Sequence, residues 1–170
     1  MQALVIHFDD EAETAIRGVW RKLAKAGIPV PDAFPPHLTL AAASAIPRKA
    51  RDAVRAELRM LALPSVWLAS LSTFTASENV LMLAAVTDPE LIAVHTAVHD
   101  VLAGQVRNQQ AYYLPGSWMP HCTLARGVTD AQVVAGFAAV FPVPPIRAKV
   151  REIVVTDTTT GDTEVVVSAA

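Results

Sequence analysis

Pro36-His37-Leu38-Thr39-Leu40-Ala41 returns 84 positions later as Pro120-His121-Cys122-Thr123-Leu124-Ala125, with five of six residues the same. By composition such a chain would hold roughly 0.4 His-x-Thr strings. It holds two, each inside the same Pro/Leu/Ala frame, so coincidence explains the match poorly and internal duplication explains it well. The period is far too long for a solenoid unit. Both segments read as strands. Side chains alternate along a strand, so His37 and Thr39 share one face while Leu38 and Leu40 take the other. His121 and Thr123 are likewise backed by Cys122 and Leu124. The apolar faces can anchor each strand, and the two His/Thr faces can then meet across a cleft. Ala41 and Ala125, next on that face in a regular strand, leave room for a ligand.

Outward from the motifs, each copy has the same surroundings. Residues 3–8 read as a central strand, apolar on both faces. A helix follows, with Asp9 or Asp10 as its cap and Ile16, Val19, Trp20 and Leu23 as its inner stripe. Gly27 ends it, and prolines hold open the loop before His37. After the first motif come a helix opened by Pro47 and a strand pair, 66–75 and 79–86, turning around Ala76-Ser77-Glu78. The order then restarts: a helix opened by Asp88-Pro89, a loop over 105–120, the second motif strand, a helix capped by Thr129 or Asp130, and a strand over 147–157. A turn at Gly161-Asp162 leads to one last strand. The strand-helix-strand-helix-strand order therefore occurs twice, over about 3–75 and 79–157, with a strand over 162–168 left over. Two α+β lobes packed side by side follow from it.

The chain has 170 residues, 52% of them hydrophobic, with a net charge of −2, which suits one domain with a real core. No apolar run reaches membrane-spanning length. The N-terminus turns acidic at once, unlike a secretory leader, so a cytoplasmic protein is expected. One cysteine rules out an internal disulfide and a thiolate-rich zinc site. The charge argues against a broad grip on duplex DNA. Twelve prolines against seven glycines leave no glycine-rich phosphate cradle.

Two imidazoles and two hydroxyls suit cleavage of a phosphodiester. One neutral histidine takes a proton from water and the other, protonated, gives one to the departing oxygen; both states are accessible because the unperturbed pKa is about 6.5. The hydroxyls of Thr39 and Thr123 can stabilise the charge that builds on non-bridging oxygens. No metal or cofactor is required.

The paired Pro-His-x-Thr-Leu-Ala motifs, the Phe8-Asp9-Asp10 helix start and the Val86-Thr87-Asp88-Pro89 restart resemble the two-histidine (2H) phosphoesterase superfamily. The likeness is nearest to its bacterial branch of 2′-5′ RNA ligase-like and RNA 2′,3′-cyclic phosphodiesterase proteins, and it spans Leu4 to Val167. It implies an α+β, bilobal fold: two pseudo-twofold-related lobes, each an antiparallel sheet with two helices, around a central cleft. It also implies metal-independent opening of a 2′,3′-cyclic phosphate, usually to a 2′-phosphate. His37 would be the acid toward the 3′ oxygen, His121 the base toward water, and Thr39 and Thr123 the phosphate ligands. A monomer acting on a nucleotide or RNA terminus is expected. The first motif runs into Ala41-Ala42-Ala43-Ser44, and the second alone continues to a basic residue, Arg126. That favours a small nucleotide or short end over a long RNA. ADP-ribose 1″,2″-cyclic phosphate, 2′-5′-linked nucleotides and a non-catalytic end-binding module are the competing readings.

Other residues carry weaker signals. Arg126 can neutralise a phosphate or end its strand, and regular alternation turns it away from His121. Phe74 and Tyr113 can stack on a base, or, for Phe74, simply pack in the core. His95 and His99 stand at i, i+4 on a helix. They lack the glutamate and the third ligand of a zinc site, and the helical wheel sends His99 toward solvent. His7 reads as a packed or cleft-edge residue, Trp118 as shaping the approach to the second motif, and Cys122 as buried and unreactive.

Overall fold

The computed structural model describes residues 1–75 and 78–169; Ala76 and Ser77, at the expected turn, lie outside them. In chain order the elements are β1 (Gln2–Phe8), α1 (Asp10–Lys25), β2 (His37–Ala43), α2 (Arg48–Leu58), β3 (Ser65–Thr73), β4 (Val80–Ala85), α3 (Pro89–Leu102), β5 (His121–Arg126), α4 (Asp130–Val140), β6 (Ile146–Asp157) and β7 (Thr163–Ser168). The loop before β5 contains a 3₁₀ turn, Ala111–Tyr113. Every expected element is present and the fold is α+β.

The seven strands form one antiparallel sheet in the order β1-β2-β5-β4-β3-β6-β7, and β6 also pairs with β1. The first residues of β6 lie along β3, from Lys149 opposite Ser65, and the later ones along β1, from Val150 opposite Phe8. The third strand of each repeat therefore crosses over. β3 follows the first motif but pairs with β4 and β6, while β6 follows the second motif and pairs with β1.

The local sequence explains the helices. In α1, acidic residues fill the first turn and Lys22 and Lys25 the last, complementing the helix dipole. Ala12, Ile16, Val19, Trp20 and Leu23 form its buried stripe. Asp9 occupies the N-cap, but its carboxylate accepts from the Lys149 amide rather than from the helix. Asp88 caps α3 through the Leu91 amide, with Pro89 at the first position. Thr129 and Gln132 close a capping box on α4, an arrangement in which each side chain satisfies an amide that the helix start leaves unpaired.

All four helices contribute to a single core against one face of the sheet. Leu4, Ile6 and Phe8 of β1, Leu38 and Leu40 of β2, Cys122 and Leu124 of β5, and Leu81 and Leu83 of β4 point into it. Full burial of such a side chain is worth about 1.5–3 kcal/mol, so this face fixes the strands. α1 packs on α4, and α2 on α3. The opposite sheet face carries a small apolar cluster of Ala3, Val5, Ala42 and Val154 with Tyr113 against it. Alternation puts His37, Thr39, His121 and Thr123 on that second face. Among the described residues, no helix is long and apolar enough to cross a membrane.

Candidate active site

β2 and β5 are neighbours, meeting at Leu38 opposite Cys122. The His/Thr faces therefore do not approach from separate walls; they lie side by side on one surface. One step along each antiparallel strand sets His37 opposite Thr123 and Thr39 opposite His121. The four residues form a square across the two strands.

Each imidazole is tethered in the same way. His37 Nδ1 donates to the Pro35 carbonyl at 2.8 Å and His121 Nδ1 to the Met119 carbonyl at 2.7 Å. A carbonyl only accepts, so the proton sits on Nδ1 and the neutral ring keeps its lone pair on Nε2. A carbonyl two residues before the histidine holds the ring in both copies. Both rings are held below the ordinary histidine pKa, chiefly by burial that disfavours the charged form. The tether to Pro35 opposes this at His37, and the charges of His7, Arg126 and His121 add to it. At His121 the Met119 tether opposes burial, Arg126 adds to it, and Glu78 pulls the other way.

Regular alternation fails just after each threonine. Val5 pairs with Thr39 but Leu4 with Ala41, and Met82 pairs with Thr123 but Leu81 with Ala125. Leu40 and Leu124 are therefore extra residues in β-bulges. A bulge sends two successive side chains to the same side. Leu40 with Ala41, and Leu124 with Ala125, accordingly point into the core. This corrects two sequence expectations. Ala41 and Ala125 are core residues, not the small residues of the site. The residues that return to the site face are Ala42 and Arg126, so Arg126 shares the face of His121 and its charge acts on both histidines.

A pocket of about 270 Å³ opens beside His121 and Arg126, lined among others by Phe74, Tyr112, Tyr113, Met119 and Glu78. Phe74 stands edge-on to His121, ring centres 5.6 Å apart, and lines this pocket instead of packing in the core. His37 has its own edge-on aromatic, Phe34, at 6.5 Å. The sequence reading passed over Phe34, Tyr112 and Glu78; proximity to the motifs was a signal only for Phe34. His7 is buried beside His37, its strand partner, and donates to Glu152 at 3.0 Å.

A further correction concerns α3. His99 is not turned to solvent; it is 7% exposed, and His95 is 2% exposed. The helix is covered on that side by β2 and by the loop preceding β5. His95 donates to the Tyr113 carbonyl and His99 to the Leu40 carbonyl. Cys122 is fully buried with its thiol pushed up to about 12, as an inert residue should be. Among the described residues, no three His, Cys, Asp or Glu side chains gather as a metal site.

A seven-stranded antiparallel sheet backed by four helices, with two His-x-Thr strands side by side on its open face, defines the two-histidine phosphoesterase class. The chain belongs to the 2′-5′ RNA ligase superfamily, whose family model matches residues 8–162. No curated protein matches it. Among solved structures it is similar to Escherichia coli LigT in its apo form, at 22% identity and a TM-score of 0.60 over 99% of this chain and 94% of that one. Similar too are LigT complexed with 3′-AMP, at 20% identity and a TM-score of 0.59 over 99% and 94%, and LigT complexed with NADP+, at 23% and 0.59 over 96% and 92%. At such identity the likeness concerns the fold.

Proposed function

We propose that the protein is a metal-independent cyclic phosphodiesterase that opens the 2′,3′-cyclic phosphate of a nucleotide or RNA end to a 2′-phosphate. The observation that supports this reading is the pair of imidazoles on adjoining strands, each tethered through Nδ1 and each beside a threonine from the other strand. Phosphodiester chemistry belongs to the superfamily, and LigT, a protein of similar fold, has been crystallised with 3′-AMP and NADP+.

In this scheme water attacks phosphorus as His121 Nε2 removes its proton. The P–O3′ bond breaks as His37 Nε2 gives its proton to the 3′ oxygen. One proton enters and one leaves, and solvent returns the protein to its starting state. The two threonine hydroxyls and the Arg126 guanidinium stabilise the equatorial oxygens. Burial disfavours the charged form of His37 in the free protein, but an anionic diester between the rings favours it. Substrate therefore helps to load the acid. The base lies over the Phe74, Tyr112 and Tyr113 side of the pocket, where aromatic faces accept any base.

The test is hydrolysis of 2′,3′-cyclic AMP with EDTA present, the product identified by phosphorus NMR. The expected product is 2′-AMP. His37→Ala and His121→Ala should remain folded and each lose about 10²–10⁴ in rate. Unimpaired turnover in either variant, or loss of wild-type activity in EDTA, would overturn the reading.

A further inference from the structure

The two motif strands share one register pair, Leu38 with Cys122, so main-chain pairing does little to fix their separation. Side chains from outside the sheet do more. The indole N–H of Trp20, on α1, donates to the Thr123 carbonyl at 3.3 Å. The indole N–H of Trp118, in the loop before β5, donates to the Thr39 carbonyl at 3.0 Å. The two bonds cross: Trp20 comes from the first repeat and reaches the second motif, and Trp118 comes from the second repeat and reaches the first. Both acceptors are the residues just before an inserted leucine, where a bulge interrupts the ladder and leaves main-chain groups without regular partners.

Trp118 is itself held in place. Its ring stacks on His95 with centres 3.8 Å apart and planes 5° from parallel. His95 in turn lies 4.4 Å from His99, whose Nε2–H donates to the Leu40 carbonyl at 3.0 Å. Trp20 is buried in the otherwise aliphatic stripe of α1. A phenylalanine would fill most of that space, and a buried indole N–H must find a partner, so the donor has a use that bulk alone does not explain.

We propose that Trp20 and Trp118 are positioning residues whose crossed indole bonds to the Thr123 and Thr39 carbonyls hold the two His-x-Thr strands at the separation at which one phosphate reaches both histidines. This rests on the phosphodiesterase reading above. Misplacement by about 1 Å is enough to cost about a hundredfold in rate, so a modest drift of either strand is kinetically visible.

Trp20→Phe and Trp118→Phe keep a ring and remove the donor. Trp67→Phe, at a half-exposed tryptophan that lies over Arg147 instead, is the control. Three quantities are read: thermal unfolding, kcat and KM on 2′,3′-cyclic AMP, and the imidazole NMR signals of His37 and His121 during titration with inorganic phosphate. Each brace variant should unfold cooperatively, lose about tenfold or more in kcat and change KM by less than about threefold. Phosphate should shift both imidazoles in the wild type and the control. The His37 response should weaken in Trp118→Phe and the His121 response in Trp20→Phe. If a phenylalanine variant does not fold, benzothienylalanine at the same position removes only the N–H, and the same criteria apply. Wild-type kcat with undiminished responses, or a rate loss equal to the unfolded fraction, overturns the brace. A wild-type protein that neither turns over the cyclic nucleotide nor binds phosphate would remove the reading beneath it, and the brace with it.

Discussion

His37 and His121 carry the same tether and are both partly buried, so their roles must be separated by what each does to the substrate. The acid matters only when the leaving group needs a proton. A substrate with sulfur at the 3′ bridging position leaves without one. On it, His37→Ala should recover most of the about 10²–10⁴ it loses on the oxygen substrate, while His121→Ala should stay impaired; the reverse pattern would exchange the two labels. Arg126 makes a second prediction. Its charge lowers both imidazole pKa values, so Arg126→Ala should move both limbs of the pH–rate bell upward. The variant should also lose about 10–100-fold in kcat/KM, as expected for hydrogen bonds to a charged group. A pH profile unmoved by the substitution would place Arg126 outside the site. At this scale the motifs were fully legible, since their pattern repeats within the chain. The direction of Arg126 was not. It depends on the offset between β4 and β5, and nothing in His-Cys-Thr-Leu-Ala-Arg announces that Leu124 is the extra residue.

Among the elements, helix starts and strand limits could be read to within a residue or two because caps and periodicity are local. What an element packs against is not local, and α3 shows it. Its histidines look peripheral on a wheel, yet β2 and the loop before β5 bury them, and His95 is lowered to about 4 by burial that outweighs its bond to Tyr113. The consequence for stability has a definite sign. Below about 6.5 an unfolded His95 takes a proton, while the folded one stays neutral down to about 4. The unfolded state then binds more protons, so stability falls as pH drops through that window. The urea midpoint should therefore drop between pH 7 and pH 5, and drop less in His95→Gln; equal pH dependence in both proteins would contradict the assignment. Helix α4 gives a packing test. A Cβ on Gly136 would stand 2.4 Å from the Leu81 side chain, itself buried under the helix. Gly136→Ala should thus destabilise by about 1–3 kcal/mol through overpacking, although alanine is the better helix former by about 1 kcal/mol. A stabilised variant in urea unfolding would show that α4 can lift off the sheet.

In the whole molecule the two repeats of sequence are not two independent pieces of structure. A duplicated order of elements suggests that each copy folds on itself, and alternation along single strands cannot say otherwise. The pairings do. β1 has β2 from its own repeat on one side and β6 from the other repeat on the other; β3 finds its partners β4 and β6 wholly in the second. Separating the copies at the link between β3 and β4 would strip β1 of one neighbour and β3 of both, and would open a core to which all four helices contribute. Unpaired strand groups and exposed apolar surface are both costly. Residues 1–75 and 79–170 expressed alone should therefore show little sheet signal by circular dichroism and no cooperative unfolding. Produced together, they should assemble, because the interleaved strands supply each fragment with what it lacks. The intact chain should unfold in one transition, with tryptophan fluorescence and far-ultraviolet dichroism coincident. A first fragment that folded by itself and kept a response of His37 to phosphate would mean that each motif is built within its own repeat. The His/Thr square would then be a docking of two finished halves, not a product of strands exchanged between them.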